Sequence, residues 1–157
     1  MDVTIMAATN LLLKQLITDH PTITFTQGAE FLWSPSDTTV YYDEITPHTH
    51  SILLHELAHG LLGHHDYSKD VELLAMETEA WEHARTLADK YEITLVEDTI
   101  QDHLHTYREW LHARSLCPHC EATGFQSGVR HYSCIACSQD WRVNEARICA
   151  LRRYSTT

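Results

Sequence analysis

Hydrophobic and polar positions along this chain follow two different periods, and the change of period marks out its parts. Over residues 3–18, Val3, Met6, Leu13, Leu16 and Ile17 fall near one stripe of a 3.6-residue repeat, which predicts an amphipathic helix. His20-Pro21 ends it, because the residue before a proline disfavours the α region. Residues 22–25, 30–33 and 39–42 are short β-prone runs. Gln27-Gly28 and Ser34-Pro35-Ser36-Asp37 supply turns between them, which predicts a three-stranded antiparallel meander. The helical period returns at residues 49–64, where Ile52, Leu53, Leu54, Leu57, Ala58, Leu61 and Leu62 make the helix apolar on most sides and predict its burial. Gly60 and Gly63 would let another backbone approach it closely. A second helix, capped by Ser68 or Asp70, is predicted to run to about residue 90. A third, over 96–113, carries Val96, Ile100, Leu104, Tyr107 and Leu111 on one face.

Two histidines and a glutamate interrupt the apolar helix at His55-Glu56-Leu57-Ala58-His59. Histidines at i and i+4 project from one face about one turn apart, so both imidazoles reach one ion. A hydrolytic zinc wants three protein ligands and one open position. Glu56, one residue on, points to the side, where it can act as general base toward zinc-activated water. Five-residue motifs also arise by chance, mostly on solvent-facing helices. Here the flanks are Ser51-Ile52-Leu53-Leu54 and Gly60-Leu61-Leu62-Gly63. Polar groups in so apolar a helix cost several kcal/mol unless they are paired or bound to metal.

The third ligand must come from elsewhere, and the second helix offers Glu72, Glu77, Glu79 and Glu82. Around Glu77 the helical neighbours are Leu73, Leu74, Ala80, Trp81 and Ala84, the core-facing stripe. Glu79 sits on a mixed face with Ala75, Met76, Glu82 and His83. Glu77 is favoured and Glu79 comes next, either as ligand or as the group that holds a ligand imidazole. For the oxyanion, Tyr67, His64 and His65 follow the motif helix and His48 and His50 precede it. For each of these a solvated or capping role is the more ordinary reading. The run 39–42 is read as a sheet edge able to pair with an extended substrate, or as an ordinary strand.

His55-Glu-Leu-Ala-His59-Gly-Leu-Leu-Gly-His64, followed by Glu77-Thr-Glu79-Ala80-Trp81-Glu-His-Ala84, resembles the ImmA/IrrE metallopeptidases, the DUF955 group of compact gluzincins. The resemblance covers roughly residues 3–92. Members show Glu-x-Glu-Ala, then Asn or Asp, then Phe-Ala; Trp81 and His83 depart from that ending and Ala84 keeps the register. The resemblance implies Glu77 as zinc ligand. It also implies limited proteolysis of a regulatory protein, such as a helix-turn-helix repressor or an antitoxin-like partner.

The cysteines add a second constellation. Cys117-Pro-His-Cys120 and Cys134-Ile-Ala-Cys137 are two knuckles, and four thiolates fill a tetrahedral zinc with no open position. This is the pattern of a zinc ribbon, a segment too small to fold without its metal. Cys149 is left over and is read as a buried free thiol. Phe125, Tyr132 and Trp141 are read first as packing residues of the ribbon and second as contact residues, and Arg147, Arg152 and Arg153 as candidates for a weak anion contact. The expected fold is α+β, with a compact gluzincin-like domain over 1–113 and a zinc ribbon and tail over 114–157. Two zinc ions are expected, one catalytic and one structural.

Charge changes the picture in one respect. The net charge is −11, with 19 acidic and 5 basic residues up to position 113, and 3 acidic and 6 basic residues after it. An acidic body repels nucleic acid, and the tail is too weakly basic to carry DNA binding. This weighs against a SprT-like protease, a family that joins the same motif to a zinc ribbon, acts on DNA-bound proteins and would need a histidine, here His83, as third ligand. A non-catalytic, zinc-stabilised interaction module is the other alternative; intact Glu56 speaks against it. No apolar run approaches the roughly 18 residues that span a bilayer. The first lysine is Lys14, so no cationic leader is read, and the expected location is the cytoplasm. Oligomeric state is not legible in the residues.

Overall fold

The computed structural model describes residues 3–145 and 153–156, with side chains from residue 11 onward. Among these the fold is α+β, with four helices and two small sheets. No helix of the described residues is long and apolar enough to cross a membrane. The chain forms two compact units, Met1–His65 with Met76–Glu97, and Asp66–Ala75 with Asp98–Thr157. This division differs from the 113/114 boundary expected from sequence. Residues 66–75 and 98–113 group with the cysteine-bearing part, because buried Asp70 bonds to Arg114 and Tyr132 there.

In the first unit, α1 (Val3–Asp19) buries Leu12 and Leu16 and leaves Ile17 exposed, so its inward stripe is turned by one position from the expected one. Val3 and Met6 lie outside the described side chains. Strands β1 (Thr24–Gln27), β2 (Leu32–Ser34) and β3 (Thr39–Tyr42) form a sheet of order β1-β3-β2. It is not the antiparallel meander expected. β3 pairs parallel with β1 and antiparallel with β2. The cause lies in burial: Thr39 and Val40 are buried, whereas no residue of β1 or β2 is, so β3 takes the centre. A central strand has both edges in use, so β3 is not the free edge for a substrate.

α2 (His50–Leu62) packs on β2 and β3. It buries one face, from His50 through Leu53, Leu54, His55, Leu57, Ala58 and His59. Ile52, Leu61 and Leu62 are exposed, so the helix is amphipathic rather than buried all round. Neither glycine admits a backbone neighbour. A Cβ at Gly60 would stand 3.0 Å from the Trp33 ring, so the close approach is made by a side chain. Gly63 lies at φ 70° and closes the helix: its N–H meets the Gly60 carbonyl and the His64 N–H meets the His59 carbonyl at 3.0 Å. This is a Schellman turn, which needs a left-handed residue at that position.

α3 (Asp70–Tyr91) is started by Glu72, whose carboxylate accepts the Ser68 and Lys69 N–H groups at 2.9 and 3.1 Å. The expected caps do not serve: Asp70 is buried and Ser68 offers its own N–H. From Met76 onward α3 belongs to the first unit and buries Glu77, Ala80, Trp81, Ala84, Leu87 and Ala88, a 3.6-period stripe.

In the second unit, α4 (Glu97–Ser115) buries Ile100 and Leu104, while Val96 ahead of it is exposed. Strands β4 (Phe125–Gly128), β5 (His131–Ser133), β6 (Asp140–Val143) and β7 (Arg153–Ser155) form an antiparallel sheet in that order. Residues 125–128 run as a strand, and the turn falls at Val129-Arg130, with Arg130 at φ 58°. Gly124 answers a packing need, since a Cβ there would lie 2.4 Å from the Trp141 ring and 2.6 Å from the Ser133 carbonyl oxygen.

Tyr132 and Trp141 are buried and stacked 5.6 Å apart, so they are packing residues; Phe125 is exposed. Asp70 accepts from Arg114 Nε at 2.7 Å and from the Tyr132 hydroxyl at 2.6 Å. Burial and then Asp70 push the Tyr132 phenol well above its usual pKa, which keeps it a donor. Arg153 donates to the Leu116 carbonyl at 2.8 Å. Cys149, Arg147 and Arg152 lie outside the described residues.

Candidate metal centre

The apolar stripe of α2 and that of Met76–Tyr91 in α3 carry three polar side chains inward to one point. His55 Nε2 lies 3.0 Å from Glu77 Oε2 and 3.1 Å from His59 Nε2, and His59 Nε2 lies 3.6 Å from Glu77 Oε2. All three residues are buried, and their donor atoms lie within 4.8 Å of one another. Ligands about 2.05 Å from a tetrahedral zinc stand roughly 3.3 Å apart, so the spacing fits. The chemistry fits as well. A divalent cation would take a lone pair from each imidazole, and a buried carboxylate wants positive charge. Burial alone would raise the pKa of Glu77, but hydrogen bonds from His55 and His59 outweigh it and hold the carboxyl far below its usual range. Glu77, rather than Glu79, Glu72 or Glu82, is thus the carboxylate in the triad. His83 supplies no donor to it.

Glu56 stands apart from the three donors and is half-buried. Its Oε2 accepts the Trp33 backbone N–H at 2.8 Å. Trp33 pairs with Val40 on β3, yet its N–H points away from β3, along the outer edge of β2. The same residue donates its indole N–H to the His64 carbonyl at 2.9 Å and lays its ring over Gly60. Sequence reasoning missed Trp33, because no spacing rule ties a strand residue to a helix. The small residue at position 60 was its only trace.

Glu79 and His64 were both expected near the motif without a settled role. His64 Nδ1 lies 2.8 Å from His59 Nδ1, and His64 Nε2 lies 3.2 Å from Glu79 Oε2. Burial lowers the pKa of His64, against the opposing pull of Glu79. Trp81 stacks on His55, with ring centroids 4.2 Å apart. His48 and His65 are exposed, and His50 is buried with its pKa lowered by that burial. Tyr67 falls in the second unit, in an open recess beside Ser68, Asp70 and Arg130.

The chain matches no family model, and no curated protein or solved structure matches it. The likeness to ImmA/IrrE enzymes therefore rests on its residues alone.

The four cysteines form the other donor cluster. Cys117 Sγ lies 3.6 Å from Cys137 Sγ, and Cys120 Sγ lies 3.6 Å from Cys134 Sγ. A disulfide would need about 2.05 Å; sulfurs 2.3 Å from a tetrahedral zinc stand about 3.8 Å apart. Burial would raise the Cys117 thiol, but amide donors at Cys120 and His119 pull it down to about 6. Against the amide of Gln139, burial and the neighbouring thiols push Cys137 up to about 12. Four thiols this close cannot all ionise without a cation, and a divalent metal removes that conflict.

Proposed function

We propose that this chain is a zinc metallopeptidase of the gluzincin type, akin to ImmA/IrrE enzymes, with a structural zinc ribbon at its C-terminal end. The observation that carries the reading is the meeting of His55, His59 and Glu77 at one buried point while Glu56, on the same helix, stays outside it. Three protein donors leave a tetrahedral ion one free position. Zinc, when bound there, supplies Lewis acidity that polarises a carbonyl and acidifies water. His55, His59 and Glu77 would hold the ion, and Glu56 would serve as general base toward the attacking water and then as proton donor to the leaving amine. The Trp33 amide fixes one Glu56 oxygen and so holds the carboxylate in place.

The substrate is a protein segment. β2 is an edge strand of the first sheet, and its outward Trp33 N–H is taken by Glu56. A regulatory protein, such as a repressor or antitoxin-like partner, is the target class that the ImmA/IrrE likeness suggests. The four cysteines leave no free position and hold the second unit together.

Glu56→Gln tests the reading. The variant should keep both metals and lose proteolysis of a co-expressed target or of a peptide library. If it keeps full biological effect with its metals in place, the chain is a zinc-stabilised interaction module and not a peptidase.

A further inference from the structure

We infer that His64 is a positioning residue for the metal site: it sets the tautomer and ring plane of His59 and is itself set by Glu79. The inference rests on the reading of His55, His59 and Glu77 as ligands, though not on proteolysis.

A neutral imidazole has one N–H and one lone pair. His59 Nε2 is in the donor cluster, so it must present its lone pair there and carry its hydrogen on Nδ1. That Nδ1 lies 2.8 Å from His64 Nδ1, so His64 must accept at that atom. Its own hydrogen is then on Nε2, 3.2 Å from Glu79 Oε2, which as a carboxylate only accepts. Each hydrogen meets one acceptor, and the whole chain runs outward from the cluster. In the opposite sense, His64 would donate to His59 Nδ1. The His59 hydrogen would then sit on Nε2 and point at the ion's place. Only one sense suits metal binding.

The local fold is built to hold this arrangement. The Schellman turn at Gly63 reverses the chain so that the His64 N–H bonds to the His59 carbonyl at 3.0 Å. The Trp33 indole grips the His64 carbonyl at 2.9 Å. Backbone donor, backbone acceptor and both ring nitrogens of His64 are thereby in use. The ring is not available as an oxyanion donor while it braces His59. α3 supplies Glu77 as ligand and, two residues later, Glu79 as the outer end of the brace. A carboxylate working through a neighbouring imidazole raises the basicity of the ligand, as direct carboxylate–histidine partners do.

The test uses the full chain, with Zn2+ affinity measured by chelator competition and the absorption spectrum of the Co2+ form as a second readout. His64→Leu should weaken the His/His/Glu site by about 10–100-fold and shift its Co2+ bands, with the cysteine site unchanged. His64→Asn places an amide oxygen near the Nδ1 position and should restore most of the affinity. Glu79→Gln, at an exposed carboxylate, should give a smaller loss and a small band shift. Equal loss in His64→Leu and His64→Asn would show that the residue serves only the turn and would overturn the inference. Unchanged affinity in His64→Leu, or an unmoved spectrum in Glu79→Gln, would overturn it too. Glu56→Gln alters proteolysis without touching these nitrogens, so failure of the peptidase reading shows up separately.

Discussion

The two donor clusters differ in how the chain brings their atoms together. The cysteines come from two four-residue knuckles, in which backbone amides already point at the sulfurs, as the His119 N–H does at Cys117. The histidines and Glu77 come from two long helices, and packing of Leu57, Ala58, Ala80 and Trp81 sets their spacing. Charge differs as well. Four thiolates around a dication leave −2; two neutral imidazoles and one carboxylate leave +1. A filled, electron-rich cluster quiets its ion, whereas a three-donor cluster with net positive charge keeps it electrophilic. On the proposed reading, one design suits folding and the other chemistry.

The largest expected effect breaks the first cluster. Cys117→Ser with Cys120→Ser should remove one zinc per chain and unfold the ribbon sheet, since structural zinc contributes about 10–16 kcal/mol of apparent binding energy to such segments. Metal analysis and limited proteolysis read the result, and loss of both metals would mean that the clusters are not independent. His59→Ala should remove the other zinc and leave the cysteine-bound one, with helix content preserved by circular dichroism.

Arg114→Met comes next. It strands the buried Asp70 carboxylate and should cost about 3–5 kcal/mol in urea unfolding. Arg130→Ala, which breaks an ion pair with well-exposed Glu145, should cost under about 1 kcal/mol. Near-equal costs would erase the distinction between the two pairs. Gly60→Ala presses a methyl on the Trp33 ring at 3.0 Å and should cost about 1–3 kcal/mol, with loss of activity exceeding loss of metal because Trp33 holds Glu56.

The smallest effect is a slope with pH. In the metal-stripped protein the Glu77 carboxyl is depressed by its histidine partners. The stability it contributes is present above the unfolded value of about 4.3 and fades as pH falls through the lower folded value. Glu77→Gln should flatten that part of the acid unfolding curve; an unchanged curve would mean that the carboxyl is not so held.

The two clusters were also unequally legible in the sequence. The cysteine knuckles are local, so spacing alone gathered Cys117, Cys120, Cys134 and Cys137. His55 and His59 share one helix face for the same reason. Glu77 was reached through the helical period of its neighbours, which works because α3 is regular. The order of the first sheet was hidden, since the pattern marks a strand but not its partner, and burial of Thr39 and Val40 decided it. Trp33 and the His64–Glu79 link were hidden too. They join residues 23 and 15 positions apart through a sheet edge and a reversed turn. The Gly124 packing was hidden as well, because glycine serves turns and close contacts alike.

The stacking of Trp81 on His55 gives the protein an optical signal of its own. The indole lies against the ring of a candidate ligand, so its emission should respond to an ion in the site. A paramagnetic ion such as Co2+ should dim it and zinc should not. With the cysteine cluster, beside which Trp141 packs, already filled by zinc, titrations on the unlabelled chain follow occupancy of the His/His/Glu site without a dye.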